Sequence, residues 1–96
     1  MISEVVYTET YKITLVATIN VVENSYGTPS AEKLLDRIDS IVKKIIINPY
    51  LYLAIPVDLR FRRAVISPQS SLVYEVTETK IILLYIFDNR QEPFWI

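Results

Sequence analysis

The sequence has 96 residues, a length that suits one domain and is too short for two. It contains no cysteine and no histidine, which excludes disulfides, thiolate metal sites and any imidazole acting as ligand or acid–base group. Ten basic and eleven acidic residues leave a net charge of −1, so no overall field draws the chain to nucleic acid. The 51% hydrophobic content includes seven tyrosines; with tyrosine set aside and glycine counted, the apolar share is about 45%, ordinary for a globular domain. A chain this size hides only about 60–68% of its unfolded surface, enough for one modest core. Met1-Ile2-Ser3-Glu4 has neither the basic start nor the apolar run of a signal peptide. The longest apolar run, residues 81–87, falls far short of the ~20 residues that span a membrane. The expectation is a cytoplasmic chain without membrane contact.

In chain order, Ile2 to Tyr7 is β-branched and aromatic enough for a short first strand. Residues 9–26 read two ways. Ile13, Leu15, Ala17, Ile19 and Val21 alternate with Thr14, Thr18 and Asn20, as in a strand. Yet Tyr11, Leu15, Ile19, Val22 and Tyr26 recur at helical spacing, and Gly27 follows, where helices often end. Length favours the helix. The next segment is plainer: Thr28 can cap, Pro29 suits the first helical position, and Asn48-Pro49 stops the helix. Ala31, Leu34, Leu35, Ile38, Ile41, Val42 and Ile45 form its apolar stripe. Gly27-Thr28-Pro29 is a connection short enough to fold the two helices into an antiparallel hairpin. Three strands then follow, Leu59 to Ile66, Leu72 to Thr77 and Lys80 to Phe87. Their short connections predict an antiparallel meander. The last strand is apolar on both faces and is expected to lie inside the sheet. The chain shows no repeat, linker or low-complexity tract.

The order strand, helical hairpin, three-stranded meander is similar to that of the RelE/ParE superfamily of bacterial toxins. Leu72-Val73-Tyr74-Glu75-Val76 resembles that family's second meander strand. Phe87-Asp88-Asn89-Arg90-Gln91-Glu92-Pro93 resembles the closing signature of its ParE-like branch, and Asn48-Pro49 after the second helix is also typical. The resemblance covers nearly the whole chain and favours a helix over residues 9–26. It implies one α+β toxin domain over residues 1–96, neutralised by a cognate antitoxin that folds on binding. ParE-like members poison DNA gyrase without a known reaction; RelE-like members cut mRNA in the ribosome. A non-toxic relic that binds only its antitoxin is a further alternative. No cofactor or metal is implied, and a homodimer stays open.

Arg60, Arg62 and Arg63 cluster within four positions, while Glu23, Glu32, Asp36 and Asp39 lie in the first half. Alternation places Leu59, Phe61 and Val65 on one face of the strand, with Arg60 and Arg62 on the other. Each guanidinium can grip a carboxylate or phosphate through two hydrogen bonds. The plainer reading is an edge strand protected by charge. Arg90 occupies the basic position of the closing signature; it is a binding candidate, or it pairs with Asp88 or Glu92 and pins the C-terminal segment. Asp88 and Gln91 share those alternatives. Trp95 is either an anchor for a partner or a cover for the sheet edge. Tyr74 and Tyr85 read as core tyrosines with their hydroxyls at the margin. If the chain were a nuclease, Arg62 would be its catalytic candidate. However, Ala64 stands where a second basic residue is expected, and Ser70-Ser71 replaces an aromatic–basic pair. The sequence therefore leans towards target binding rather than catalysis.

Overall fold

Residues 1–91 are described in the structure, a computed structural model. They form β1 (Glu4–Tyr7), α1 (Glu9–Tyr26), α2 (Thr28–Ile47), β2 (Ala54–Ile55), β3 (Asp58–Val65), β4 (Ser70–Val76) and β5 (Lys80–Asp88). The strands make one sheet in the order β1-β5-β4-β3-β2. The β3-β4-β5 meander is antiparallel, β2 joins β3 antiparallel, and β1 runs parallel to β5. The result is an α+β fold, with a helical hairpin on one face of a mainly antiparallel sheet.

Residues 9–26 are a helix despite their strand-like alternation. Thr8 caps it, its hydroxyl accepting from Tyr11 N–H at 3.1 Å and donating to the Leu83 carbonyl at 2.7 Å. One side chain thus starts the helix and fixes it to β5. Inside the helix, the Thr14 and Thr18 hydroxyls donate to the carbonyls of Thr10 and Thr14, both at 2.8 Å. Such back-bonding accommodates threonine within a helix. Thr14 Oγ1 also accepts from the Ile86 N–H at 2.9 Å, a second tie to β5. Gly27 ends α1 with φ +92 and donates its N–H to the Glu23 carbonyl. A side chain there would be strained by that backbone conformation.

The stripe on α2 is buried at Ala31, Leu34, Ile38, Ile41, Val42 and Ile45. Three sequence expectations need correction. Leu35 is 39% exposed, because it sits at the edge of the arc that faces the sheet. Tyr26 of α1 is exposed as well, since the hairpin turns away there. Thr28 is not the cap of α2: it is already helical, Gly27 occupies the cap, and no side-chain cap bond forms.

The core joins Leu34, Ile38, Ile41, Val42 and Ile45 of this stripe and Tyr11 to Ala64, Ile66, Leu72, Tyr74, Val76, Ile81, Leu83 and Ile86. The middle strand is β4, with β5 inside the sheet beside it. Tyr74 is fully buried, and its hydroxyl donates to the Pro49 carbonyl at 3.0 Å. Burial pushes its phenol up to about 12. A raised folded value means this contribution is complete below pH 10 and is lost as pH rises through about 12. Tyr74→Phe is therefore expected to lower stability at neutral pH by about 1–2 kcal/mol, leaving the Pro49 carbonyl unpaired. Its deficit relative to wild type should shrink across that alkaline window, as read by denaturant titration. A deficit that stays constant there would contradict the assignment.

Candidate functional site

The three arginines of β3 part company in the fold. Arg60 points to solvent and forms an ion pair with Asp58 at 2.6 Å. The Arg60 backbone N–H also donates to Asp58 Oδ1 at 3.0 Å. The Arg60 guanidinium, and then this backbone bond, hold the Asp58 carboxyl below its ordinary range.

Arg62 shares the helix-side face with Ala64, Ile66 and its cross-strand neighbour Tyr74. Beyond the end of α2, the loop that follows closes over it. Its guanidinium donates to the Tyr52 carbonyl at 2.7 Å and the Tyr50 carbonyl at 3.5 Å. It also stacks 4.8 Å from the centroid of the Tyr50 ring. Among the described residues its Nε has no acceptor. Arg62 is a clamp on residues 50–52.

Arg63 projects from the opposite, helix-free face, together with Leu59, Phe61 and Val65. The faces are therefore the reverse of what binary patterning suggests. The apolar row of β3 lies away from the helices, and Arg62 lies on their side. Arg63 Nε donates to Ser71 Oγ and its terminal nitrogen to Asn89 Oδ1, both at 3.1 Å, with Phe87 stacked at 5.3 Å. The Ser71 hydroxyl also donates to Asn89 Oδ1. Asn89 Nδ2 in turn donates to the carbonyls of Ser67 and Pro68 at 3.0 and 3.3 Å. This polar cluster fixes the chain where it leaves β5.

That anchoring presents Arg90. Its guanidinium and backbone N–H both bind Asp88, and the Asp88 carboxyl falls to about 2, chiefly through the Arg90 side chain. Arg90 and Asp88 line one wall of a groove of about 550 Å³ between the turn end of the helical hairpin and the β3–β4 turn. Val21, Val22 and Leu34 give it apolar walls, and Lys33 and Arg37 add two cations. Neither Lys33 nor Arg37 forms an ion pair among the described residues. Sequence reading missed both. The available signal was two cations four residues apart on α2, each beside a stripe residue, Leu34 or Ile38. Gln91 donates its N–H to the Asp88 carbonyl; Glu92, Pro93 and Trp95 lie outside the described residues.

Acid–base chemistry finds little here. Burial pushes the phenols of Tyr74 and Tyr85 above their ordinary value, away from neutrality. Among the described residues no group of three or more acidic side chains could hold a metal ion, and no helix is long and apolar enough to cross a membrane.

A helical hairpin on a mixed five-stranded sheet is the fold of solved RelE/ParE-type toxins. No family model matches the sequence, and no curated protein is detectably similar to it. Solved structures are. A chain of the chromosomal ParDE toxin–antitoxin system from P. aeruginosa superposes with a TM-score of 0.73 at 20% identity, over 92% of this chain and 96% of that one. A chain of the E. coli DinJ-YafQ toxin-antitoxin complex gives 0.62 at 11%, over 94% and 96%. YoeB from Staphylococcus aureus, described as a dimer, gives 0.59 at 13%, over 88% and 93%. At these identities the likeness is one of fold, and it covers most of the chain.

Proposed function

We propose that the chain, as one domain over residues 1–96, is the toxin of a type II toxin–antitoxin system. In this reading it is held inactive by a cognate antitoxin and acts in the cytoplasm by binding DNA gyrase, in the ParE-like manner. The observation that carries the toxin reading is the match of fold, over more than nine-tenths of this chain, to chains from such systems. Binding is favoured over catalysis because each β3 guanidinium is engaged within the chain: Arg60 by Asp58, Arg62 by two carbonyls, Arg63 by Ser71 and Asn89. A phosphate in flight would have to compete with those partners.

The antitoxin surface in this reading is the groove bearing Lys33, Arg37 and Arg90. Lys33 and Arg37, which form no ion pair among the described residues, and the apolar walls suit an acidic amphipathic segment that orders on binding. Arg60 and Arg63, and Trp95 among the residues outside those described, remain candidates for contact with the target.

Two assays on the purified chain separate the branches. Gyrase supercoiling should be inhibited, and induced cells should arrest with DNA-damage signalling. Rapid ribosome-dependent cleavage of a defined message, lost in Arg62→Ala at a temperature where that variant is folded, would instead establish a RelE-like nuclease. Antitoxin binding with neither effect would mark a non-toxic relic.

A further inference from the structure

The helix-free face of the sheet has the make-up of a covered surface. Cross-strand pairing aligns Arg63 with Val73 and Tyr85, and Val65 with Ser71 and Phe87. Their strand neighbours Ala64, Leu72, Tyr74 and Ile86 point the other way, into the core beneath the helices. A sheet face left to water alternates polar side chains with the core. Among these six, Arg63 and Ser71 are bonded to Asn89, and Val73, Tyr85 and Phe87 present apolar surface between them.

Val73 is the decisive residue. It sits on the middle strand and is 1% exposed, yet it is not a member of the hydrophobic cluster under the helices. Arg63 and Tyr85 flank it in the same layer. Side chains of one layer shield each other sideways; closing access from above takes a further layer laid across the strands. Both helices lie on the opposite face.

The end of the chain is placed to supply that layer. Gln91 donates its N–H to the Asp88 carbonyl at 3.0 Å, closing a turn that sends the chain back along β5. Asn89, inside this turn, bonds Arg63 on the helix-free side. The sequence continues Glu92-Pro93-Phe94-Trp95-Ile96, in which three of five residues are large and apolar. Pro93 biases the residue before it towards extended backbone. Four extended residues, from Gln91 to Trp95, reach about 13 Å. Val73 lies three residues along β4 from Ser70, the partner of Asp88, a distance of about 10 Å.

We propose that residues 92–96 fold back over the helix-free face of the sheet, with the Trp95 indole laid on Val73 between Arg63 and Tyr85. Val73 is the one apolar side chain of β4 that points away from the helices, and the indole is the largest apolar group within reach of it. The same position sets the ring beside the Arg63 guanidinium, a favourable pairing. In the free chain Trp95 is thus a cover for the sheet. Nothing in this packing requires the toxin reading.

Trp95 is the single tryptophan, so its fluorescence reports this contact alone. In the purified full chain at low micromolar concentration, emission should be blue-shifted and acrylamide quenching severalfold weaker than in guanidinium. Nuclear Overhauser effects should join the indole protons to the Val73 methyl groups. Val73→Ala should raise the quenching towards the unfolded level with an unchanged circular dichroism spectrum. Val22→Ala, in the hairpin groove, should leave the quenching as in wild type. The Overhauser contact is read on wild type and decides the matter if Val73→Ala misfolds. An indole quenched as in the unfolded chain would overturn the proposal, and so would contacts to Val22 or Leu34 in place of Val73. Shielding that grows with protein concentration would overturn it too, by assigning the cover to a second copy.

Discussion

Arg62→Ala is expected to destabilise the fold by about 2–3 kcal/mol, lowering the thermal midpoint by roughly 10–20 °C for a domain of this size. Charged hydrogen bonds contribute about 1.5–3 kcal/mol each. Arg62 makes one short bond to the Tyr52 carbonyl and a longer one to the Tyr50 carbonyl. Stacking on the Tyr50 ring at 4.8 Å adds a further ~0.5–1 kcal/mol. The buried Nε without an acceptor offsets part of this. Loss of the clamp also frees the loop over Tyr74, whose hydroxyl bonds the Pro49 carbonyl at its start. Arg62→Lys should recover little, because an ammonium cannot bridge two carbonyls while lying flat on a ring. Thermal and urea unfolding measure the loss. A variant as stable as wild type would remove Arg62 from the scaffold and return it to the list of catalytic candidates.

The second large effect concerns the groove. Lys33→Glu with Arg37→Glu is expected to weaken antitoxin binding by roughly 100-fold, close to 3 kcal/mol. Exposed pairs are worth about 0.2–1 kcal/mol each, so deletion to alanine would cost less. Reversal adds repulsion against the acidic segment and places like charge in a groove with apolar walls. The same double variant should keep its thermal midpoint, since neither side chain has an ion-pair partner among the described residues. Wild-type affinity should fall with added salt, and the variant should show a flatter slope. Unchanged affinity in calorimetry at low salt would move the antitoxin to another surface.

Much of the architecture was legible in the chain. The α2 stripe, Pro29 and Asn48-Pro49 defined one helix within a residue of its observed ends, because apolar period and backbone punctuation are local properties. The meander likewise followed from two short turns and three β-rich runs. α1 was ambiguous, since a period of two and a period near four coexist in Ile13 to Val22. Tertiary contact with β5, through Thr8 and Thr14, is present only in the helix. β2 was invisible, being two residues long and paired only because β3 lies beside it.

By itself the sequence determined α2, the strands of the meander and their order, and a chemistry without imidazole or thiol. Only the tertiary structure decided which face of β3 meets the helices. An alternating strand states that two faces differ, and packing settles which one is covered; here the Pro49–Tyr52 loop shelters Arg62 on the helix side. The site followed the same logic. Lys33 and Arg37 on α2 and Arg90 after β5 are distant in sequence and meet in one groove because Asn89, bonded to Arg63 and Ser71, anchors the end of the sheet beside the hairpin. Such convergence depends on long-range contacts that no local pattern encodes.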